Sequence, residues 1–275
     1  MTNSGTLLDS VDDLVARIPD GAMVALPPDY SLPAMEAVRS LIRRGARDLR
    51  LLGVPVSGLA SDMLIGAGCV ASIESSAVSL GEQGMAPRFT EAVRSGAITM
   101  RDATCPAVHT ALQASEKGVP FMPLRGVLGS DLIAWRPDWK VVDNPFGDDD
   151  PILLVPAIRP DVALFHACWA DRDGNVWIGR RRELATIAHA AATTLVTVEE
   201  VRDDILLDDE IMAAGTLSAV YVSAVARAGR GAWPLGVAGV YAPDQEHLAE
   251  YARLARTAEG FATYLDRFVR RQAAA

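Results

Sequence analysis

Short apolar runs alternate along the chain with segments of helical periodicity, and this alternation is the strongest constraint on the fold. Ala22–Leu26 follows a Pro-Asp-Gly turn and is predicted to be a buried strand. From Leu32 to Arg44 apolar residues recur at helical spacing, and Gly45 ends the helix. Leu49–Val54 is a second predicted strand. Strands that alternate with helices predict an α/β fold, an open and mainly parallel sheet with helices on both faces.

The alternation continues towards the C-terminus with one interruption. Residues 136–150, which include two prolines and an acidic run, are predicted to be a surface loop or excursion with room for a hairpin. Further strands are predicted at Thr194–Val198 and Ala219–Val222, and a long amphipathic helix from Asp244 to about Arg270. No linker divides the chain, so we expect residues 1–275 to form a single domain.

The composition narrows the classes of function. With 50% hydrophobic and 22% charged residues, the 275-residue chain is expected to be globular. Its net charge of -9 disfavours contact with nucleic acid phosphates. No apolar run is long enough to span a bilayer, and the N-terminus lacks a signal peptide pattern. Three widely spaced cysteines do not form a disulfide framework, so we expect a cytoplasmic protein.

One segment matches the loose dinucleotide-binding pattern G-x-G-x-x-A. It is Gly66–Ala71, with the sequence GAGCVA. The motif needs a strand before it and a helix after it, so that a pyrophosphate rests on the helix N-terminus. Here a helical stretch precedes the glycines and an extended stretch follows them, which favours a helix end and a tight turn over a nucleotide site.

Two other groups of residues could carry chemistry but have simpler explanations. His166 and Cys168 share one face of a strand, yet the following Asp-Arg-Asp-Gly-Asn is first of all a turn signal, so no metal site is predicted. Cys105 and His109 stand four residues apart at a helix start, which could lower a thiol pKa. No third, orienting group is evident, so an ordinary helix N-terminus is favoured.

The segment from Pro123 to Asp131 combines a fixed cation with two glycines. Gly126 and Gly129 would let the backbone approach a ligand, and Arg125 offers a planar guanidinium to a carboxylate or phosphate. Ser130 could cap a helix or bind a substrate. These four residues are our candidates for substrate binding, and a capped loop with a surface arginine is the alternative.

Several segments, taken in order, resemble the α (A) subunit of family I CoA-transferases, above all the glutaconate CoA-transferase branch. Each motif is weak alone, but their order makes the set specific, and they span nearly the whole chain. The segments are Leu64–Val70, Leu80–Phe89, Pro120–Pro123, Arg125-Gly126, Gly129–Asp131, Ala170-Asp171, Gly174-Asn175, Val196–Glu200, Gly231–Pro234 and Tyr241.

The resemblance implies a complex with a structurally similar β subunit, as a heterodimer or α2β2, and an active site between the two chains. The attacking glutamate would belong to the β subunit. It would form an acyl-glutamyl anhydride, then a glutamyl-CoA thioester, before CoA passes to an acceptor acid. This chain would shape the pocket and orient the substrates. Coenzyme A would be a substrate, with no permanently bound cofactor.

The loop after the first strand departs from the family pattern. The A subunits of 3-oxoacid CoA-transferases carry a glycine-rich loop there, whereas this chain has Pro27–Pro33 (PPDYSLP), in which prolines lack the N–H groups of an oxyanion pocket. This departure points towards a divergent branch, whose members include hydrolases that open rings of CoA thioesters in steroid breakdown. For a hydrolase, Asp102 and Glu82 are candidate bases. A non-catalytic acyl-CoA-binding domain is a further alternative.

Overall fold

The computed structural model describes residues 6–270, in which parallel strands form one large sheet between helices. The strands are β1 (Leu7–Leu8), β2 (Met23–Leu26), β3 (Leu49–Gly53), β4 (Val70–Ser75), β5 (Thr99–Asp102), β6 (Phe121–Leu124), β7 (Lys140–Asp143), β8 (Pro151–Pro156), β9 (Val162–Asp171), β10 (Val176–Trp177), β11 (Thr193–Arg202), β12 (Thr216–Leu217) and β13 (Ala224–Arg227). The helices are α1 (Val11–Val15), α2 (Met35–Arg44), α3 (Leu59–Gly66), α4 (Pro87–Ser95), α5 (Cys105–Glu116), α6 (Arg182–Ala190), α7 (Glu210–Ala213), α8 (Gln245–Leu254) and α9 (Ala258–Leu265).

The order of the strands reverses in the middle of the large sheet. The order is β1-β13-β11-β9-β2-β3-β4-β5, and every neighbouring pair along it is parallel. From β2 the chain adds β3, β4 and β5 on one side, whereas β9, β11 and β13 extend the sheet on the other side. The short strands β10 and β12 are antiparallel additions beside β9. The reversal therefore falls between β2 and β9, where open α/β sheets bind their ligands.

Helices cover both faces of this sheet, as predicted. Side chains of a strand point alternately to opposite faces. In β9, Leu164 packs in the core formed with α1, α2, α3, α8 and α9, whereas Phe165 packs in the core formed with α5 and α6. In β3, Leu51 and Leu52 divide between the two cores in the same way. The apolar runs of the sequence are continuous because these strands are buried on both faces.

A small antiparallel sheet interrupts the parallel pattern. Its order is β6-β8-β7, and with α5 it encloses a separate core around Trp139, Leu153 and Val155. The predicted excursion at residues 136–150 is confirmed, and it does contain one strand of a hairpin, because β7 pairs with β8. The turn predicted at the glycine pair is confirmed too, since Gly68 has a φ of 76° between α3 and β4.

Two predictions near the C-terminus are wrong. The single helix predicted over 244–270 is α8, then α9, then a π-helical turn at Asp266–Arg270. Thr257 is extended and its hydroxyl accepts from the Gly260 amide, so a new helix begins there. The strand predicted at Ala219–Val222 is a 3-10 turn over Ala219–Tyr221, capped by Ser218, and the strand follows it as β13. Within residues 6–270 we find no helix with the length and apolarity to cross a membrane.

Candidate active site

A cleft of about 1130 Å³ opens at the carboxyl ends of the strands, beside the reversal in strand order. Its near wall consists of the loops that follow β2, β3 and β4. Its far wall is the segment before and within α8, residues 235–251. The sequence thus brings residues from both ends of the chain to the edge where parallel sheets bind ligands.

Asp29, in the loop that follows β2, lines the near wall of this cleft. Its two carboxylate oxygens each lie 3.0 Å from the amide nitrogen of Leu59, which is the first residue of α3. A side chain at Gly58 would clash with that carboxylate, so a glycine is required at this position. Burial raises the pKa of Asp29 to about 6, the Leu59 hydrogen bond opposes this rise, and the charge of Asp62 adds to it. A carboxyl group with this pKa can accept or donate a proton near neutral pH.

Charged side chains lie at other points of the cleft. Glu82 is exposed in the loop after β4. Arg180 and Arg181 approach from the segment before α6. Within the described part of the chain, neither guanidinium is ion-paired. These two arginines are therefore available to a phosphate or a carboxylate of a ligand.

Behind the far wall, Glu199 is the centre of a hydrogen-bonded network. Its carboxylate lies 2.9 Å from Nε2 of His166 and accepts from the Tyr241 hydroxyl at 2.8 Å. It also accepts from the backbone amides of Arg230 at 2.6 Å and Gly231 at 3.2 Å. Burial disfavours the charged carboxylate, but the hydrogen bonds from His166, Tyr241 and Arg230 outweigh burial and lower the pKa of Glu199.

This network attaches the far wall to the central strands. His166 lies on β9 and Glu199 on β11, whereas Tyr241 belongs to the wall itself and lines the cleft. A Cβ atom at Gly231 would lie 2.6 Å from the His166 ring, so the chain passes close to the imidazole only because this residue is glycine. Through these contacts, the position of residues 235–243 depends on a carboxylate of the central sheet.

Comparisons with known proteins agree with this arrangement. A family model described as coenzyme A transferase matches residues 8–223. The chain belongs to the coenzyme A transferase family. The A subunit of a 3-oxoadipate CoA-transferase from Pseudomonas knackmussii is 33% identical over 96% of this chain and 93% of its own length. The structure of glutaconate coenzyme A-transferase from Acidaminococcus fermentans superposes with a TM-score of 0.89 and 29% identity, over 96% of this chain and 89% of the other. The predicted family and fold are confirmed, and the chain is an α subunit of this family.

The relatives of this chain are not all transferases by name. A cholesterol ring-cleaving hydrolase IpdA subunit from Rhodococcus jostii is 29% identical over 93% of this chain and 90% of its own length. The structure of a decarboxylase, AibA/AibB in a cysteine-to-serine variant, matches with a TM-score of 0.83 and 33% identity, over 96% of this chain and 100% of the other. Proteins with this fold therefore catalyse several different reactions, so the reaction of this chain depends on the residues of its cleft.

The two candidate bases from the sequence lie in different places. Glu82 lines the cleft. Asp102 is the exposed last residue of β5 and is not among the residues that line the cleft, while its carbonyl accepts from Nη1 of Arg136 at 2.9 Å. A catalytic role for either residue stays a prediction.

The candidate substrate-binding loop follows β6 and lies apart from the lining of the cleft. Both terminal nitrogens of Arg125 contact the Asp150 carboxylate, with Nη2 at 2.7 Å from Oδ2. Ser130 accepts from the Leu132 amide at the start of a 3-10 helix, so its hydroxyl acts as a cap. Gly129 has a φ of 79°, whereas Gly126 is not left-handed. The role of these four residues in substrate binding stays a prediction.

Asp171 lies in a turn and Cys105 at the start of a helix, as the sequence predicts. Asp171 accepts from the backbone amides of Asp173 and Asn175, as a turn residue does, and within residues 6–270 no cluster of three metal-binding side chains occurs. Cys105 begins α5 after the N-cap Thr104, with its sulfur 3.1 Å from the Ser76 hydroxyl. The helix N-terminus expected at Cys105 is confirmed.

Sequence reasoning missed the two carboxylates that the structure makes most prominent. Asp29 stands in a loop whose sequence is notable for its missing glycines, and Glu199 stands in a segment that carries the family resemblance. One available signal was position, because Asp29 follows the first predicted strand, and parallel sheets bind ligands at the carboxyl ends of their strands. The hydrogen-bond partners of Glu199 come from distant segments, and no local sequence pattern predicts them.

Proposed function

We propose that this chain combines with a β subunit to form a CoA-transferase, which moves CoA from an acyl-CoA thioester to a carboxylic acid. The observation that carries the proposal is the open cleft at the strand reversal, in a chain that is similar along nearly its whole length to the A subunit of such an enzyme. We further propose that residues 1–275 act as one domain in the cytoplasm, and that CoA is a substrate with no permanently bound cofactor.

In the proposed reaction, the β subunit provides a glutamate that attacks the thioester carbonyl. The C–S bond breaks, CoA leaves as thiolate, and an anhydride remains on the glutamate. The thiolate then attacks the glutamyl carbonyl, which releases the donor acid and leaves a glutamyl-CoA thioester. The acceptor carboxylate attacks this thioester and expels the CoA thiolate, so an anhydride of the acceptor and the glutamate forms. The thiolate attacks the acyl carbonyl of this anhydride, which gives the new acyl-CoA and frees the glutamate. A carboxylate is a weak nucleophile, so the reaction depends on proximity and on a site from which water is excluded. Leu80, Leu235 and Val240 provide apolar walls for this purpose.

Arg180 and Arg181 are proposed to bind the phosphates of CoA. The chain carries a net charge of -9, so an anionic substrate needs local cations to approach it. These guanidiniums lie in the cleft, while the other walls supply mostly apolar and uncharged groups. The phosphates would thus be held at one end of the cleft while the thioester extends towards its centre.

The decisive test is co-expression with the β subunit. The purified complex should transfer CoA to an added carboxylic acid, as followed by chromatography of the CoA esters, and the isolated α chain should not. A β subunit with its nucleophilic glutamate changed to glutamine is the matched control. Transfer by the isolated α chain, with an acyl group covalently attached to one of its own residues, would overturn the proposal.

A hydrolase is the second candidate, since Glu82 lies in the cleft and a relative of 29% identity is named a ring-cleaving hydrolase. In that reaction water would replace the acceptor acid, and Glu82 would act as its base. Product formed from an acyl-CoA without any acceptor acid would favour the hydrolase. Binding of acyl-CoA without any turnover in the complex would instead favour a non-catalytic binding domain.

A further inference from the structure

Asp29 places a carboxyl group in the cleft that can take up a proton, but CoA transfer by itself requires no proton transfer. In the proposed transfer, a carboxylate attacks and a thiolate leaves, and neither step moves a proton. A CoA thiol has an ordinary pKa near that of cysteine, about 8.5, so its thiolate leaves without an acid. A carboxyl group held within the same cleft therefore needs another explanation.

Residues from more than one part of the chain fix the position of the Asp29 side chain. Pro28 precedes it, its oxygens are held by the Leu59 amide, and Gly58 leaves the space that the carboxylate occupies. This amide is the only donor to the two oxygens among residues 6–270, so the carboxyl group keeps free lone pairs. Capping of α3 explains the one hydrogen bond, but it does not explain why the side chain lines the cleft.

We propose that Asp29 is a proton-transfer residue, which removes and returns a proton on the carbon next to the thioester carbonyl of a bound acyl-CoA. The C–H electron pair forms a C=C bond to the carbonyl carbon, the thioester oxygen becomes an enolate, and the proton moves to an Asp29 oxygen. Return of a proton from Asp29 to the same carbon restores the thioester. The step consumes no co-reactant, and it rests on the proposed acyl-CoA site.

The surroundings of Asp29 suit a base that acts near neutral pH. Asp62, on α3 beneath it, opposes ionisation, as does burial. The titratable and charged groups that face the same cleft are Tyr30, Glu82, Arg180, Arg181, Tyr241 and Tyr251. Because the pKa of Asp29 is raised to about 6, its carboxylate form increases as pH rises through that value and then becomes constant. The proton-removal rate should follow this curve.

The test measures hydrogen exchange in D2O with the complex of α and β subunits. Acetyl-CoA, butyryl-CoA and glutaryl-CoA serve as probes, and mass spectrometry of the recovered ester reports deuterium on the acyl group. We expect the wild-type complex to incorporate deuterium, with a rate that rises through about pH 6 and becomes constant above it. Asp29→Asn should slow it by about 100-fold or more and remove that inflection, since general base catalysis contributes about 10²–10⁴-fold.

Two controls separate this role from a structural one. The amide oxygen of Asp29→Asn can still accept from Leu59, so its melting temperature should stay close to that of the wild type. Asp143→Asn removes an exposed carboxyl group on β7 and should exchange at the wild-type rate.

Exchange that depends on Asp29 supports the inference, even if CoA transfer itself is absent and the proposed transferase fails. CoA transfer without exchange, or equal exchange by Asp29→Asn and wild type, overturns the inference and leaves the transferase standing. Failure of all three esters to be exchanged or transferred would overturn both.

Discussion

The strongest prediction for stability concerns Glu199, which holds the far wall of the cleft on the central strands. Replacement by alanine removes the acceptor for the His166 ring, the Tyr241 hydroxyl and two backbone amides. His166 is fully buried, so its ring cannot turn to water. Each buried group left without a partner costs about 1–3 kcal/mol, while the Arg230 amide lies at an exposed position and can be hydrated.

Together these losses should lower the free energy of unfolding by about 3–5 kcal/mol. In a chain of this size, that corresponds to a fall in melting temperature on the order of 10 °C. Glu199→Gln keeps one oxygen acceptor, so it should fall between alanine and the wild type. Circular dichroism melts of the purified protein measure the difference.

The neighbouring Glu200 is the matched control, because it has the same chemistry, lies one position further along β11 and is exposed. Glu200→Ala should change the unfolding free energy by no more than about 0.5 kcal/mol. Equal melting temperatures for Glu199→Ala and Glu200→Ala would refute the reasoning.

The contribution of Glu199 should also depend on pH. The folded state lowers the pKa of this carboxyl group, so the ionised form stabilises the fold. That stabilisation is complete above the ordinary glutamate pKa of about 4.3 and is lost as pH falls through the lower, folded value. The difference in melting temperature between wild type and Glu199→Gln should therefore be constant near pH 7 and shrink in acid. A difference that grows as the solution is acidified below the ordinary glutamate pKa would contradict this sign.

Three further predictions concern the cleft and the core beside it. The double variant Arg180→Gln with Arg181→Gln should raise the KM for an acyl-CoA about tenfold. It should not change the KM for the matching acyl-pantetheine, which lacks the nucleotide phosphates. Equal effects on the KM of both esters would exclude phosphate binding. Gly58→Ala should displace the Asp29 carboxylate and slow hydrogen exchange at least tenfold in the D2O assay. Gly229→Ala, at an exposed position with open space around it and outside the cleft, should not. Tyr251→Phe removes the 2.7 Å hydrogen bond to the buried Asp62. This loss should lower the free energy of unfolding, measured by urea titration, by about 2 kcal/mol. Tyr221→Phe, at an exposed position, should have no measurable effect.

The α/β architecture could be predicted from the sequence because strands and helices follow from the local periodicity of apolar residues. Strands buried on both faces produce continuous apolar runs, as in β9, and amphipathic helices end at left-handed glycines, as α2 does at Gly45. The break between α8 and α9 was missed because apolar spacing continues across it. Only the extended backbone and the capping hydroxyl of Thr257 reveal it.

The candidate active site was harder to predict from the sequence than the fold, because its contacts join residues that are distant along the chain. Asp29 meets an amide 30 positions later, and Glu199 meets a hydroxyl 42 positions later. Such pairs depend on which strands become neighbours, and the strand order cannot be deduced from periodicity. Glu82 was identified because it stands among glycines that a family motif shares, and the structure places it in the cleft.

The two walls of the cleft come from different parts of the chain. The region that matches the coenzyme A transferase model ends at residue 223, before the segment 235–251 that forms the far wall. The matched region thus contains most of the sheet, Asp29 and Glu82, whereas the opposite side of the cavity is formed by the last part of the polypeptide. Substitutions in residues 235–251 can therefore change the shape of the cavity while the strands beneath it keep their sequence.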